Sequence, residues 1–347
     1  SNFREVACKQ IERHMRLCLA TTTGCETLVT FSGSEPLLAE AASQLMQGSM
    51  VNPVRHLANH SDLHCVDRGQ RGELVAALIL MQARDKAVIT QSPMERTRWA
   101  SVSSFMKALL PETNYKALER KKMTSWRNGE DKPFDETFED YAMWFNHVIR
   151  IYKDTLINAK YLWRFITRGA MIICAHNQAG VDIIIPLCLK TEKLSPKTVS
   201  AILIQVKNAS NYRNEIKTKL FEKLCPFDLG VFDQDATPRP VIRMVFALAS
   251  QESEVLFREA DETCDKFTAF DIWCAGLSCL RSVDEEDLAS YQVLLDRSLE
   301  PHHAFVLDES GKDKYLLDET RQLRGLRRRR IAALSMDDDG HHCLHLS

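Results

Sequence analysis

The chain has 347 residues, with 45 Lys and Arg against 47 Asp and Glu and 45% hydrophobic residues, a composition that excludes disorder throughout. At roughly 100–200 residues per domain, the length accommodates one large domain or two modest ones. The net charge of −2 excludes a uniformly basic nucleic-acid binder but leaves room for local patches.

Residues 1–160 read mainly as helices. Ser34-Glu35-Pro36 followed by Leu37 to Met46 is a helix start with Pro in the first turn. After a loop containing Asn52-Pro53, Arg71 to Met81 forms a more apolar helix that should be largely buried. Tyr115 to Arg127 carries a local net charge of +4 from Lys116, Arg120, Lys121, Lys122 and Arg127 against Glu119. Phe134, Phe138, Tyr141, Trp144, Phe145 and Val148 then recur at three and four, which predicts an aromatic helix face.

From about residue 168 the pattern turns extended. Ala170–Ala175 and Val181–Leu189 are apolar and β-branched, and Asn177 to Gly180 between them is a hairpin signal. Val199–Lys207 predicts a third strand, Asn214–Leu224 a helix, Val241–Ala249 a fourth strand and Phe267–Leu277 a fifth. The succession helix, strand, strand, strand, helix, strand is that of an α/β fold, a mixed sheet flanked by helices. The expected organisation is a mainly helical region 1–160 that lends its Glu73 helix to the core, an α/β core over 161–300, and a basic segment and tail over 301–347. Gln251 to Glu300 carries −9, a face that should repel nucleic acid, whereas Arg321 to Arg330 holds six Arg and no acid.

The 11 cysteines are odd in number, run from Cys8 to Cys343 and form no C-x-x-C pair, so reduced, mostly buried thiols are expected. The opening residues lack a signal peptide's apolar stretch, and the longest apolar run, Leu74 to Met81, is less than half a membrane span. An intracellular protein of the nucleus or cytoplasm, with no membrane partner, is expected. Because residue 1 is Ser, secretion after loss of an upstream segment stays open.

The informative feature is polar punctuation inside the apolar strands. Asp182 interrupts a Val-Ile-Ile-Ile strand, and Gln205 and Lys207 interrupt an Ala-Ile-Leu-Ile-Val strand. Such groups are costly to bury without partners. Side chains two apart in a strand share a face, so Gln205 and Lys207 project together. If Asp182 points the same way, its carboxylate and the Gln205 carbonyl oxygen suit a hard divalent cation, Mg²⁺ or Mn²⁺, with Lys207 beside the bound water or a phosphate.

This pattern resembles the PD-(D/E)XK, or restriction-endonuclease-like, nuclease superfamily, in its Gln-x-Lys variant. The match is Asp182 followed at a distance by Gln205-Val206-Lys207 at the end of an apolar strand, over residues 168–250 with the Glu73 helix added. The resemblance implies a restriction-endonuclease-like sheet, Mg²⁺-dependent phosphodiester hydrolysis with DNA as the expected nucleic-acid partner, metal binding by Asp182 and Gln205, and service of water and phosphate by Lys207. It also implies an acid from an earlier helix as a further metal and catalytic group, for which Glu73 in Arg71-Gly72-Glu73 is the candidate and Glu35 and Glu40 are rivals. Gln205 stands where an acid is commoner, which removes one negative charge from the metal, and about a hundred residues between Glu73 and Asp182 require a helical insertion. The chain is similar, too, to mostly uncharacterised fungal nuclease-like families with Arg-Gly-Glu and Gln-Val-Lys segments.

Each candidate has a plainer reading. Asp182 would cap the Asn177–Gly180 turn, Gln205 and Lys207 would mark a strand emerging into solvent, and Glu73 would be a first-turn acid favoured by the helix dipole. Lys116, Arg120, Lys121, Lys122, Arg213 and Lys217 suit phosphate contacts or a solvated face; Arg213 and Lys217, four apart, would share a helix side. His176 is read as a turn or core residue, and the spacing of His341, His342, Cys343 and His345 fits no tetrahedral metal site well. No P-loop, dinucleotide fingerprint, H-E-x-x-H or G-x-S-x-G is present. The alternatives to an active nuclease are a nuclease fold that has lost catalysis and binds nucleic acid or protein, and a scaffold in which the strand residues are rim groups.

Overall fold

The structure, a computed structural model, describes residues 16–21, 28–32, 34–48, 52–60, 67–91, 99–124, 132–175, 178–234, 238–259 and 266–296. The chain divides into the units Ser1–Arg297 and Ser298–Ser347, and every described residue belongs to the first. Arg127, His176, Asn177, the Arg321–Arg330 run and the His341–His345 tail therefore lie outside the described residues.

A two-stranded antiparallel hairpin, β1 (Arg16–Thr21) and β2 (Leu28–Ser32), precedes helices α1 (Glu35–Gly48), α2 (Pro53–His60) and α3 (Arg68–Gln91). Helix α3 begins where Asp67 Oδ1 accepts the Gln70 amide at 2.9 Å, an Asp N-cap interaction. It buries Val75, Ala76, Ile79, Leu80, Ala83 and Ala87 and runs well past the expected end at Met81. Its more polar C-terminal half continues because Ala83, Arg84 and Ala87 are buried, and Lys86 also pairs with Asp284 at 2.7 Å.

Next come β3 (Ala100–Ser101), α4 (Val102–Leu109), α5 (Glu112–Glu119), α6 (Phe134–Phe138), β4 (Tyr141–Met143), β5 (His147–Arg150) and α7 (Ala159–Thr167). The aromatic helix expected over 134–148 is thus corrected: it stops at Phe138 and the chain becomes two strands. The three-and-four spacing reports burial by tertiary packing, since Phe134, Phe138 and Phe145 are each fully buried, and β4 takes its backbone partners from Leu189 and Cys188.

The central elements follow the expected succession: β6 (Ala170–Ile173), β7 (Ile183–Leu189), β8 (Val199–Lys207), α8 (Thr218–Glu222), β9 (Val241–Ala247), β10 (Glu254–Phe257), β11 (Ala269–Ala275) and α9 (Glu285–Asp296). The helix expected over Asn214–Leu224 is only the five residues of α8. Asn214 is held outside it by Glu252 and Glu254, so Arg213 and Lys217 precede the helix and share no helical side.

The result is a nine-stranded mixed sheet, ordered β10-β11-β9-β8-β7 and continued from β7 by β4-β3, with β6 and then β5 also joined to β7. Strands β8, β9 and β11 are parallel, and β7 is antiparallel to β6 and β8. One face buries Ile183, Ile185, Ile202, Ile204 and Val206 with α3 and α4; the other buries Ile184, Ala201 and Leu203 with α7 and Phe221 of α8. The molecule is therefore an α/β protein, a mixed sheet flanked by helices. The mainly helical first 160 residues also supply three strands to the sheet, because β4 pairs with β7 and β5 with β6.

Candidate functional site at the strand ends

The C-terminal ends of β6 and β8 lie beside the N-terminal end of β7. Ile183 and Ile204 are the last pair of the β7–β8 register, and Asp182 lies just beyond it, beside the end of β8. By alternation along β8, Gln205 and Lys207 belong to the face that buries Ala201 and Leu203. Asp182 extends the ladder with its side chain: its amide donates to Ile204 O at 2.9 Å, and its Oδ2 accepts the Val206 amide at 2.6 Å.

Burial, and after it the charge of Glu73, raises the pKa of Asp182, while the Val206 hydrogen bond and Lys207 pull it down. Cys174, just past β6, is pushed well up by burial and then by the charges of Asp182 and Glu73. These shifts identify Glu73, Cys174, Asp182 and Lys207 as one electrostatic neighbourhood. Gln205 is 5% exposed, and its Oε1 is buried without a hydrogen-bond partner among the described residues. Lys207 Nζ lies 6.0 Å from the Tyr212 ring centroid, and Lys217 Nζ lies 4.4 Å from the same ring.

Glu73 comes from the other layer. Helix α3 packs on the opposite sheet face, and its first turn reaches the end of β8 because position 72 is Gly: a Cβ there would meet Asn208 Cβ at 2.9 Å and Val206 Cγ1 at 3.2 Å. Asn208 Nδ2 ties this junction by donating to Arg68 O at 2.9 Å. Glu73 Oε2 is engaged by Arg150 at 2.7 Å. Sequence reasoning missed Arg150 and Asn208; the spacing of neither residue marks it, since both act only across the fold.

The rivals of Glu73 lie elsewhere. Glu35 pairs with Arg168 and lies 3.7 Å from His147, and Glu40 lies near Asn146, at the start of β5 and so at the far end of that strand from Arg150. The cluster of Lys116, Arg120, Lys121 and Lys122 is also remote. Thr124, next to it, donates to Ala269 O at the start of β11, about 20 Å along the strands from the Lys207 end. Lys116 is paired with Glu112 and Lys121 with Glu259. Arg213 and Lys217, by contrast, belong to the loop that leaves β8, where Trp273 Nε1 donates to Arg213 O at 2.8 Å.

Among the described residues no group of three or more His, Cys, Asp or Glu is arranged to hold a metal, and no helix is long and apolar enough to cross a membrane. The described cysteines Cys174, Cys188, Cys225, Cys274 and Cys279 are free thiols. Fold and site together define an α/β protein with a polar cluster where its central strands end. Within that class, the chain belongs to the family described as a domain of unknown function (DUF8736), whose model matches residues 1–220 and so includes Glu73, Asp182, Gln205 and Lys207. No curated protein and no solved structure gives a match.

Proposed function

We propose that the chain is a metal-dependent nuclease that hydrolyses phosphodiester bonds, with DNA as the expected substrate. The observation that carries this reading is Asp182 bonded to the Val206 amide, next to Gln205, whose buried oxygen has no partner among the described residues, with Lys207 on the same strand face as Gln205. The succession α3, β6, β7, β8, α8, β9 supports it as well, being the order that the restriction-endonuclease resemblance implies.

The donor set fits Mg²⁺ or Mn²⁺. A buried amide oxygen unbonded among the described residues and a buried carboxylate only partly compensated by the Val206 amide and Lys207 are both needs that a hard cation meets. Asp182 and Gln205 would hold the ion, and Glu73 would add charge from its bridge to Arg150. When bound, the metal supplies a polarised phosphoryl oxygen and an acidified water. Lys207 brings a positive charge to orient that water and to stabilise charge developing on the phosphate. Arg213 and Lys217 offer contacts to flanking phosphates, which fix register without reading sequence.

The second reading, a nuclease fold without turnover that binds nucleic acid or protein, is favoured by the Arg150 guanidinium on Glu73, which neutralises an acid that metal binding would use. Incubating DNA with the protein, with and without Mg²⁺, separates the two. Lys207→Ala should abolish Mg²⁺-dependent cleavage while leaving the circular dichroism spectrum and Tm unchanged, and cleavage unaffected by that substitution refutes the assignment. Salt-sensitive DNA binding without cleavage by the unsubstituted protein supports the second reading.

A further inference from the structure

Arg71 carries a buried charge that the described fold leaves unpaired. Its side chain is 0% exposed, and Nε, Nη1 and Nη2 are all buried without a hydrogen-bond partner among the described residues. Arg84 and Arg150 also have unbonded nitrogens, but each makes an ion pair, with Asp85 and Glu73 respectively. Burying a guanidinium without an anion is costly, because nothing replaces its lost hydration. Burial, and then the neighbouring Arg68, lowers the Arg71 pKa, and Asp296 and Asp67 oppose this.

The surroundings form a polar junction. Arg68 and Arg71 are three apart on α3, so they share a face, and both side chains lean back over the first turn. Glu73, two residues on, lies roughly 200° round the helix, so this is a different side from the Asp182 site. Asn208 enters the same junction from the end of β8: its Nδ2 donates to Arg68 O at 2.9 Å and Leu295 O at 3.4 Å, while its Oδ1 is buried and unbonded among the described residues. Asp67 already caps the helix through the Gln70 amide, so the two arginines, and not free helix amides, are the groups left to meet an anion.

We infer that this junction, where α3 begins and β8 and α9 end, binds a singly charged phosphate group, either dihydrogen phosphate or a phosphodiester, held by Arg71 and Arg68. A tetrahedral oxyanion offers several acceptors to the guanidinium fork, the bidentate match for which arginine is suited. Asp67 and Asp296 beside it select against a second negative charge, and a hydroxyl of dihydrogen phosphate also suits the unbonded Asn208 oxygen. The site is independent of the nuclease reading.

The test uses the full chain, in EDTA and at constant ionic strength, titrated with sodium phosphate, with a short oligonucleotide lacking terminal phosphates, and with acetate. Thermal shift and ³¹P NMR report binding. The expected result is a saturable rise in Tm with phosphate or the oligonucleotide that Arg71→Leu removes and Arg68→Ala weakens about tenfold or more. A response to the oligonucleotide identifies a nucleic-acid phosphodiester as the source, and a response to phosphate alone identifies free phosphate. Should Arg71→Leu fail to fold, the wild-type titration and Arg68→Ala decide. No saturable response in the wild type, an equal response to acetate, or a response unchanged in the variants overturns the inference. Loss of DNA cleavage would bear on the nuclease reading alone, since metal is withheld throughout.

Discussion

Asp182 finishes the β7–β8 ladder with a carboxylate oxygen where a backbone carbonyl would otherwise receive the Val206 amide. Because its pKa is raised, the folded chain holds the Asp182 proton more tightly than the unfolded chain does. The associated stability is complete below the ordinary aspartate pKa and is lost as pH rises through the raised value, so the ionised group works against the fold. Asp182→Asn keeps an acceptor for the Val206 amide and removes the charge. Its Tm at pH 7 should exceed that of the parent, with the gain shrinking as the pH falls into the range where the parent is protonated. A Tm at pH 7 below the parent's would contradict this account. A residue that costs stability in its working state is characteristic of a functional position. The sequence marked Asp182 as an acid within an apolar strand, but only the structure shows that it is bonded to the end of β8 through Ile204 and Val206.

Helix α3 and strand β8 meet through glycine. Gly72→Ala adds a methyl 2.9 Å from Asn208 Cβ, so either Asn208 shifts or the helix lifts. The expected cost is about 1–3 kcal/mol in urea unfolding, together with weakened charge coupling between Glu73 and Asp182. Gly180 is more constrained: its φ is +93°, and a Cβ there would lie 2.4 Å from the backbone oxygen of Lys223. Backbone strain and a carbonyl collision combine, so Gly180→Ala should lower the urea midpoint more than Gly72→Ala does. The hairpin around Gly180 was legible because Gly, Asn and Gln separate two β-branched runs. The end of α6 was not, because its aromatic residues are buried whichever element carries them.

Across the whole molecule, the sheet encloses an ion pair that no sequence pattern announces. Arg243 of β9 and Asp271 of β11 are in register, 4% and 2% exposed, and joined by bonds of 2.6 and 2.7 Å. Arg258 also bonds Asp271 at 3.2 Å, so Asp271→Ala leaves Arg243 buried and uncompensated and takes this bond from Arg258, with an expected loss of about 3–5 kcal/mol. Replacing both residues by apolar ones of similar volume should recover most of that loss, which a double-mutant cycle in urea measures. Similar reasoning explains what could be read in advance. Hydrophobic periodicity is local, so the sequence by itself determined the α/β class, the β6–β7–β8–β9 order and the strand face shared by Gln205 and Lys207. It also singled out Glu73, Asp182 and Lys207. The tertiary structure alone decided that Glu73 reaches the strand ends from the opposite layer and is bound by Arg150, that Glu35, Glu40 and the Lys116–Lys122 cluster lie at other ends of the sheet, and that Arg71 is buried without a partner among the described residues. Those outcomes depend on pairings between residues far apart in the chain, and the free energy that selects such pairings comes from packing and charge across elements.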